Sequence, residues 1–235
     1  MAVFRREMVL PQDDETLVGQ LFISERPMGV VVWGNDDTSE RYRRQTVRLA
    51  EELAKCGLAS LLFGLWTEVE EGLQAGWGVD DEARLQRAAR RLERTCALLA
   101  RDAQTQGMRL GLFGTGSGAP ASLLVAARHP AELSAIACCG GRPSLAGAAA
   151  ARVRVPTLLV VGSEDEHGLL EAQRLSSELA GEHSLRLIPG ASSTLHEPGA
   201  WEDAVHITGE WFHDHFRAAV EPRSDGWADA EGRFV

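Results

Sequence analysis

The stretch Gly114-Thr115-Gly116-Ser117-Gly118 follows a short apolar run and opens an alanine-rich helical pattern. A strand that turns sharply into a helix, with small residues two positions before and after the apex, is typical of a nucleophile elbow. If Gly114 and Gly118 are those flanking residues, Gly116 is the apex. Because glycine has no side chain, the turn has the pattern of an elbow without its reactive group.

The apolar run before the elbow is one of six that lack alternation with polar residues, as strands covered on both faces do. A hairpin, predicted from the runs 8–10 and 17–23, precedes them. Helical periodicity fills the intervals, and such alternation favours right-handed crossovers. We therefore predict a doubly wound, mostly parallel sheet with an N-terminal antiparallel hairpin and helices on both faces. The six runs are 30–33, 58–63, 110–113, 133–138, 157–161 and 185–188.

The helical segments carry their own boundary signals. Gly57 is placed to end one helix in a left-handed conformation, and Pro198 is placed in the first turn of the last helix. The polar, glycine-bearing end predicts one domain over 1–217 and a flexible tail over 218–235. Five arginines of one helix alternate with acids and are expected to form a solvated, salt-bridged face; they are Arg84, Arg87, Arg90, Arg91 and Arg94.

Composition limits the partners. The chain has 235 residues and a net charge of −10, so phosphate backbones and anionic membranes would be repelled. No signal peptide or membrane span is evident, and the four cysteines lack metal-site spacing. We expect a cytoplasmic protein with reduced thiols that binds a small molecule and needs neither a metal nor a cofactor. A homodimer stays open.

Several stretches, in order, resemble the α/β-hydrolase fold of the dienelactone hydrolase family, and the similarity runs from about residue 8 to 216. The family has a serine or cysteine at the elbow apex, an acid further on, and a histidine after the last strand. The resemblance implies the same fold here. It is carried by 58–63, Gly111-Leu112-Phe113-Gly114, the Gly140-Gly141-Arg142-Pro143 stretch through Gly147, 155–162, 188–191 and 197–199.

Only the acid of that set matches in register, at Asp165. Ser193 stands where the resemblance implies the histidine, and Gly116 stands at the apex. The loop after 30–33, usually glycine-rich to aim backbone amides at an oxyanion, here reads Asn35-Asp36-Asp37. Two carboxylates beside an oxyanion site would repel the charge that hydrolysis develops there.

Three interpretations follow. Hydrolysis could use displaced residues, with Ser117 attacking, His196 as base and Asp165 as orienter. Alternatively, the pocket could be kept and acid/base chemistry could cyclise, isomerise or eliminate from a small organic molecule without a covalent step. Thirdly, the protein could bind a ligand or partner without catalysis. We favour the second, with a pocket expected from Asn35, Asp36, Asp37, Gly116, Ser117, Asp165, Ser193 and His196, and aromatic walls from Trp33, Trp66 and Trp77.

Simpler interpretations compete for individual residues. For Asp36, helix capping or solvation is the simpler one, and Asp165 could remain as a structural hydrogen-bond acceptor. Cys138 ends a strand near the expected pocket and could be a nucleophile, although a small buried thiol is the commoner role.

Overall fold

The computed structural model describes residues 2–13, 15–36, 40–67, 69–70 and 81–218, with 40–43 and 81 described by backbone alone. Eight strands form one sheet in the order β1-β2-β4-β3-β5-β6-β7-β8. The strands are β1 Val3–Pro11, β2 Thr16–Ser24, β3 Gly29–Asn35, β4 Leu58–Gly64, β5 Arg109–Thr115, β6 Leu133–Cys139, β7 Thr157–Gly162 and β8 His183–Ile188. The helices are α1 Glu40–Lys55, α2 Asp81–Arg101, α3 Gly118–Arg128, α4 Glu166–Glu178, α5 Ala200–Ala218 and a 3₁₀ segment, Pro143–Arg152.

The strand directions confirm the predicted sheet. β1 and β2 pair antiparallel from Val3 opposite Ser24 to Pro11 opposite Thr16, and β2 continues antiparallel to β4. The other five neighbouring pairs, from β4-β3 to β7-β8, are parallel. The six parallel strands therefore end at one edge of the sheet, where the loops that follow them meet.

Two apolar cores lie on the two faces of the sheet, and β3 contributes to both. Val30 and Val32 pack in the core covered by α2, α3 and α4, whereas Val31 and Trp33 pack in the core covered by α1 and α5. A continuous apolar run gives this alternation because successive strand side chains point to opposite faces.

The helix-end predictions have mixed outcomes. Gly57 follows α1 with a φ of +85°, as predicted for a left-handed end. The placement of Pro198 in the first turn of the last helix is wrong, because α5 begins at Ala200. A turn in which the Ala200 amide donates to the Glu197 carbonyl at 3.1 Å precedes the helix instead.

Two burial predictions are also wrong. β8 is an edge strand rather than one covered on both faces, and its Leu187 is 43% exposed. Arg91 does not lie on a solvated face but is buried. Arg87 is exposed and Arg94 is half-buried, and both form ion pairs as expected. Of the predicted tail, 218–235, only Ala218 is described, as the last residue of α5, and the rest lies outside the described residues. None of the described helices combines the length and apolar character needed to cross a bilayer.

Candidate functional site

The turn between β5 and α3 has the predicted elbow geometry. Gly116 is exposed and has a φ of +55°, in the left-handed region that favours glycine. The turn is also tightly packed, since a Cβ on Gly114 would lie 2.2 Å from the Gly118 carbonyl oxygen. The apex therefore opens to solvent at the edge where the parallel strands end.

The carboxylate of Asp36, just beyond the end of β3, is bound at this elbow. Its Oδ2 accepts a hydrogen bond from the Ser117 backbone amide at 2.5 Å. Its Oδ1 accepts from the Ser117 hydroxyl at 2.5 Å and from the Trp66 indole Nε1 at 2.7 Å. The expectation that Asp36 is merely solvated is therefore wrong, because three donors from Ser117 and Trp66 hold it. The alternative that it caps the following helix concerns 37–39, which lie outside the described residues.

Asp36 also fills the space that an apex side chain would need. A Cβ built on Gly116 would lie 2.5 Å from Asp36 Oδ2 and 3.0 Å from its Cγ. Real Cβ atoms do not approach other heavy atoms so closely, so a side chain at 116 and the present position of Asp36 exclude each other. The carboxylate thus stands where an elbow enzyme of this fold would carry its nucleophile.

The same contact changes the oxyanion site. In a nucleophile elbow, the backbone amide of the residue after the apex donates to the oxyanion. Here that amide belongs to Ser117 and already donates to a carboxylate. A second negative oxygen at this position would be repelled rather than stabilised.

Trp66 lies in the loop after β4 and is buried, with 6% of its surface exposed. Its indole N–H donates to Asp36, and two guanidinium groups lie over its ring. That of Arg84 is 4.3 Å from the ring centroid and that of Arg91 is 5.4 Å from it. The sequence predicted Trp66 as a wall of the pocket but gave no sign of these contacts. The pattern Thr67-x-x-Glu70, typical of a capping box, was the available signal for an ordered segment here.

Two other predicted pocket residues have structural contacts instead. The Asn35 side chain donates to the Phe63 carbonyl at 3.5 Å, across to the neighbouring strand. Asp165 caps α4, where its Oδ1 accepts from the Gly168 amide at 2.9 Å. Asp37 and Trp77 lie outside the described residues.

The loop after β8 holds Ser193 and His196, and both are exposed. The Ser193 carbonyl oxygen would lie 3.3 Å from a Cβ on Gly140, so this loop approaches the loop after β6. Within the part of the chain that the structure describes, no hydrogen bond joins Ser117, His196 and Asp165. The Ser117 hydroxyl donates to Asp36 and the Asp165 carboxylate accepts from the Gly168 amide instead.

The remaining candidates are buried. Cys138 packs in the core at 2% exposure, and burial raises the pKa of its thiol to about 12, which disfavours the nucleophilic thiolate. Trp33 is 1% exposed and makes an edge contact with Phe113, with 4.6 Å between the ring centroids. It therefore packs in the core and does not line an open pocket. Among the described residues, no group of three or more His, Cys, Asp or Glu side chains could hold a metal ion.

The sheet order, the crossovers and the elbow define an α/β-hydrolase fold. A dienelactone hydrolase from Anabaena variabilis is 31% identical in its crystal structure, with a TM-score of 0.81 over 90% of this chain and 98% of that one. The chain belongs to the dienelactone hydrolase family. A dienelactone hydrolase-like promiscuous phosphotriesterase from metagenomic libraries, 17% identical with a TM-score of 0.67 over 91% of this chain and 99% of that one, shares the fold.

Among curated sequences, proteins of two Mycobacterium tuberculosis strains named "Putative phosphoribosyl transferase" are 36% identical over 199 residues. The match covers 85% of this chain but 44% of those proteins, so the chain spans less than half the length of these relatives. No protein-family model matches the chain.

Proposed function

We propose that this member of the dienelactone hydrolase family is a non-hydrolytic enzyme that acts on a small organic molecule by acid/base chemistry. Asp36 is its proton-transfer group. The observation that carries the proposal is the Asp36 carboxylate above the bare apex, 2.5 Å from the position of a Cβ on Gly116. A carboxylate held there would meet a substrate where the fold's hydrolases present a nucleophile.

The arrangement favours proton transfer over acyl transfer. Acyl transfer needs an attacking atom and a donor for the oxyanion, but Gly116 has no side chain and the Ser117 amide is engaged by Asp36. Abstraction of a proton from carbon or oxygen needs a base fixed within hydrogen-bond reach of the substrate. Three donated hydrogen bonds hold the Asp36 carboxylate in one orientation.

Cyclisation, isomerisation and elimination can all begin with such a proton transfer. A carboxylate removes a proton from a carbon next to a carbonyl group, and the electron pair moves onto the carbonyl oxygen. Return of the proton to another carbon isomerises the molecule. If a leaving group departs instead and a carbon–carbon double bond forms, the reaction is an elimination. None of these reactions needs a covalent bond to the protein.

Phosphoribosyl transfer, the activity in the name of the mycobacterial relatives, has less support. A phosphorylated sugar would bring negative charge to a site where the carboxylate of Asp36 stands, in a chain with a net charge of −10. Those relatives are also more than twice as long as the region matched.

The proposal is tested by deuterium exchange. A panel of small ketones, lactones and β-hydroxy ketones is incubated with the protein in D₂O, and loss of the proton next to each carbonyl is followed by NMR. We expect the wild type to accelerate exchange of at least one compound and Asp36→Asn to lose at least about a hundredfold of that rate, which is the contribution of a general base. Asp214→Asn, at a 79% exposed side chain on α5, is the matched control.

A fluorophosphonate probe tests the displaced triad in parallel. Covalent labelling of the wild type is read from the intact mass of the protein. If this labelling disappears in Ser117→Ala, Ser117 is a nucleophile and the proposal is contradicted. Compounds that bind without exchange or turnover, in the wild type and in both aspartate variants, would indicate a ligand-binding protein instead.

A further inference from the structure

The strongest charged contact outside the candidate site centres on Arg91, in the middle of α2. Among the described residues, Arg91 is the only charged side chain that is buried, with 4% of its surface exposed. A guanidinium is costly to bury unless its donors are paired. Its partners therefore show what the burial accomplishes.

Every partner of the Arg91 guanidinium lies outside its own helix. Its Nη1 donates to the Leu65 carbonyl at 2.5 Å and to Glu70 Oε2 at 2.7 Å. Its Nη2 donates to Glu70 Oε1 and to Glu15 Oε2, each at 3.0 Å. The planar guanidinium thus donates two parallel hydrogen bonds to the Glu70 carboxylate and a third to the Leu65 carbonyl. These bonds fix two points of the loop after β4, Leu65 at its start and Glu70 five residues on.

Glu70 ties the same segment together from within. Its Oε2 accepts from the Thr67 amide at 2.9 Å and from the Thr67 hydroxyl at 3.2 Å, and the Glu70 amide donates to that hydroxyl at 3.3 Å. Arg87 adds a bond to Oε1 at 2.8 Å. The described first part of the loop after β4, from Leu65 to Glu70, is therefore tied to Arg91 at both of these residues.

Trp66 lies inside this clamped loop, directly after Leu65. Its indole Nε1 donates to Asp36 at 2.7 Å, and the Arg91 guanidinium lies 5.4 Å from the ring centroid. A cation over an indole face is attracted by the ring electrons and draws them toward itself, which strengthens donation by the N–H group. Arg84 is the nearer cation, at 4.3 Å from the same centroid, so the contribution specific to Arg91 is the position of Trp66.

We infer that Arg91 is a positioning residue: by clamping the loop after β4, it holds the Trp66 indole against Asp36. Among the described residues, no hydrogen bond or ion pair joins Arg91 to Asp36, and Arg91 acts through the Leu65 backbone and the Trp66 ring. Its effect on catalysis rests on the proposed function of Asp36, whereas the positioning of Trp66 is measurable without any substrate.

The experiment follows hydrogen exchange of the indole N–H groups by NMR, in protein labelled with ¹⁵N at the tryptophans. Trp66→Phe assigns the signal of interest. Arg91→Lys keeps a positive charge but loses the two-pronged grip and the planar face, and Glu70→Gln is the milder second variant. Arg90→Lys, at an exposed neighbour on the same helix, is the matched control.

We expect the Trp66 indole to exchange about tenfold faster in Arg91→Lys and to move in the same direction in Glu70→Gln, because a net hydrogen bond is lost in the loop. The core indole of Trp33 and the Arg90→Lys control should keep the wild-type rate. A Trp66 rate that is unchanged in either folded variant overturns the inference. So does an equal rise for Trp66 and Trp33, which would mean that Arg91 only stabilises the whole fold.

The two proposals can fail separately. If Asp36 is catalytic, deuterium exchange of the substrate falls in Arg91→Lys and stays intact in Arg90→Lys. If Asp36 has no catalytic role, no substrate exchange is seen in any variant, while the indole measurement still decides whether Arg91 positions Trp66.

Discussion

Placing a serine at the elbow apex is the most direct test of the site geometry. In Gly116→Ser, the new Cβ would lie 2.5 Å from Asp36 Oδ2, and the backbone would have to keep a φ of +55°. The left-handed backbone costs a residue with a side chain about 1–3 kcal/mol. To relieve the collision, the Asp36 carboxylate would have to turn away from its hydrogen bonds to Ser117 and Trp66, which adds about 1–3 kcal/mol. We therefore expect Gly116→Ser to lower the free energy of unfolding by about 2–6 kcal/mol.

Two further variants separate these contributions. Gly107 has a φ of +74° with nothing within 4 Å of its missing Cβ, so Gly107→Ser measures the backbone cost alone. In a double-mutant cycle, Asp36→Ala should remove the collision, and Gly116→Ser should then cost about as much as Gly107→Ser. Urea unfolding followed by tryptophan fluorescence gives all the free energies.

The reasoning is refuted if Gly116→Ser costs no more than Gly107→Ser in the wild-type background. It is equally refuted if the cost of Gly116→Ser is the same with and without the Asp36 side chain. Either result would mean that the carboxylate does not occupy the space above the apex in solution.

Two other predictions concern titratable groups. Burial by itself raises the pKa of Glu70. Hydrogen bonds from two arginines and a backbone amide outweigh burial and lower the pKa to about 2. The ionised Glu70 carboxylate stabilises the folded protein above about pH 4.5, and this stabilisation is lost as pH falls toward 2. The free energy of unfolding should therefore drop by about 1–3 kcal/mol over that range. Acid titration of Glu70→Gln should lack this drop. Burial raises the pKa of Cys138 and of Cys139, and Cys96 is buried as well, whereas Cys56 is exposed. Mass spectrometry after brief iodoacetamide treatment at about pH 8 should therefore show labelling of Cys56 and of none of the three buried thiols. Rapid labelling of Cys138 in the folded protein would contradict its buried position.

The fold could be predicted because its signals are local. Apolar runs without alternation identify parallel strands, and the glycines around residue 116 identify the sharp turn that follows β5. The prediction for β8 failed because it rested on Leu185, Leu187 and Ile188 alone. The strand also carries His183, Ser184 and Arg186, a polar content that suits the edge position it takes in the sheet.

The site was only partly predictable, because its central contact joins distant parts of the chain. Asp36 and Ser117 lie 81 residues apart and meet because β3 and β5 are neighbours in the sheet. The sequence marked both residues as candidates, but it gave no reason to pair them with each other. It paired Ser117 with His196, and the two share no hydrogen bond in the part of the chain that the structure describes.

Arg91 shows a different limit of sequence reasoning. A helix with alternating arginines and acids is usually solvated on that face, and Arg87 and Arg94 follow the rule. Arg91 departs from it because the loop after β4 and Glu15 of the hairpin cover it. Arg91 flanks the buried stripe of α2, since Ala88 and Thr95 are buried three residues before and four residues after it, but its partners come from other parts of the chain.

Because position 36 and position 116 share one volume, substitutions at the two positions are coupled. A side chain at 116 fits the described fold only when residue 36 is small or when its carboxylate turns away from Ser117 and Trp66. A redesign that introduces a reactive side chain at the apex is therefore best made at both positions at once.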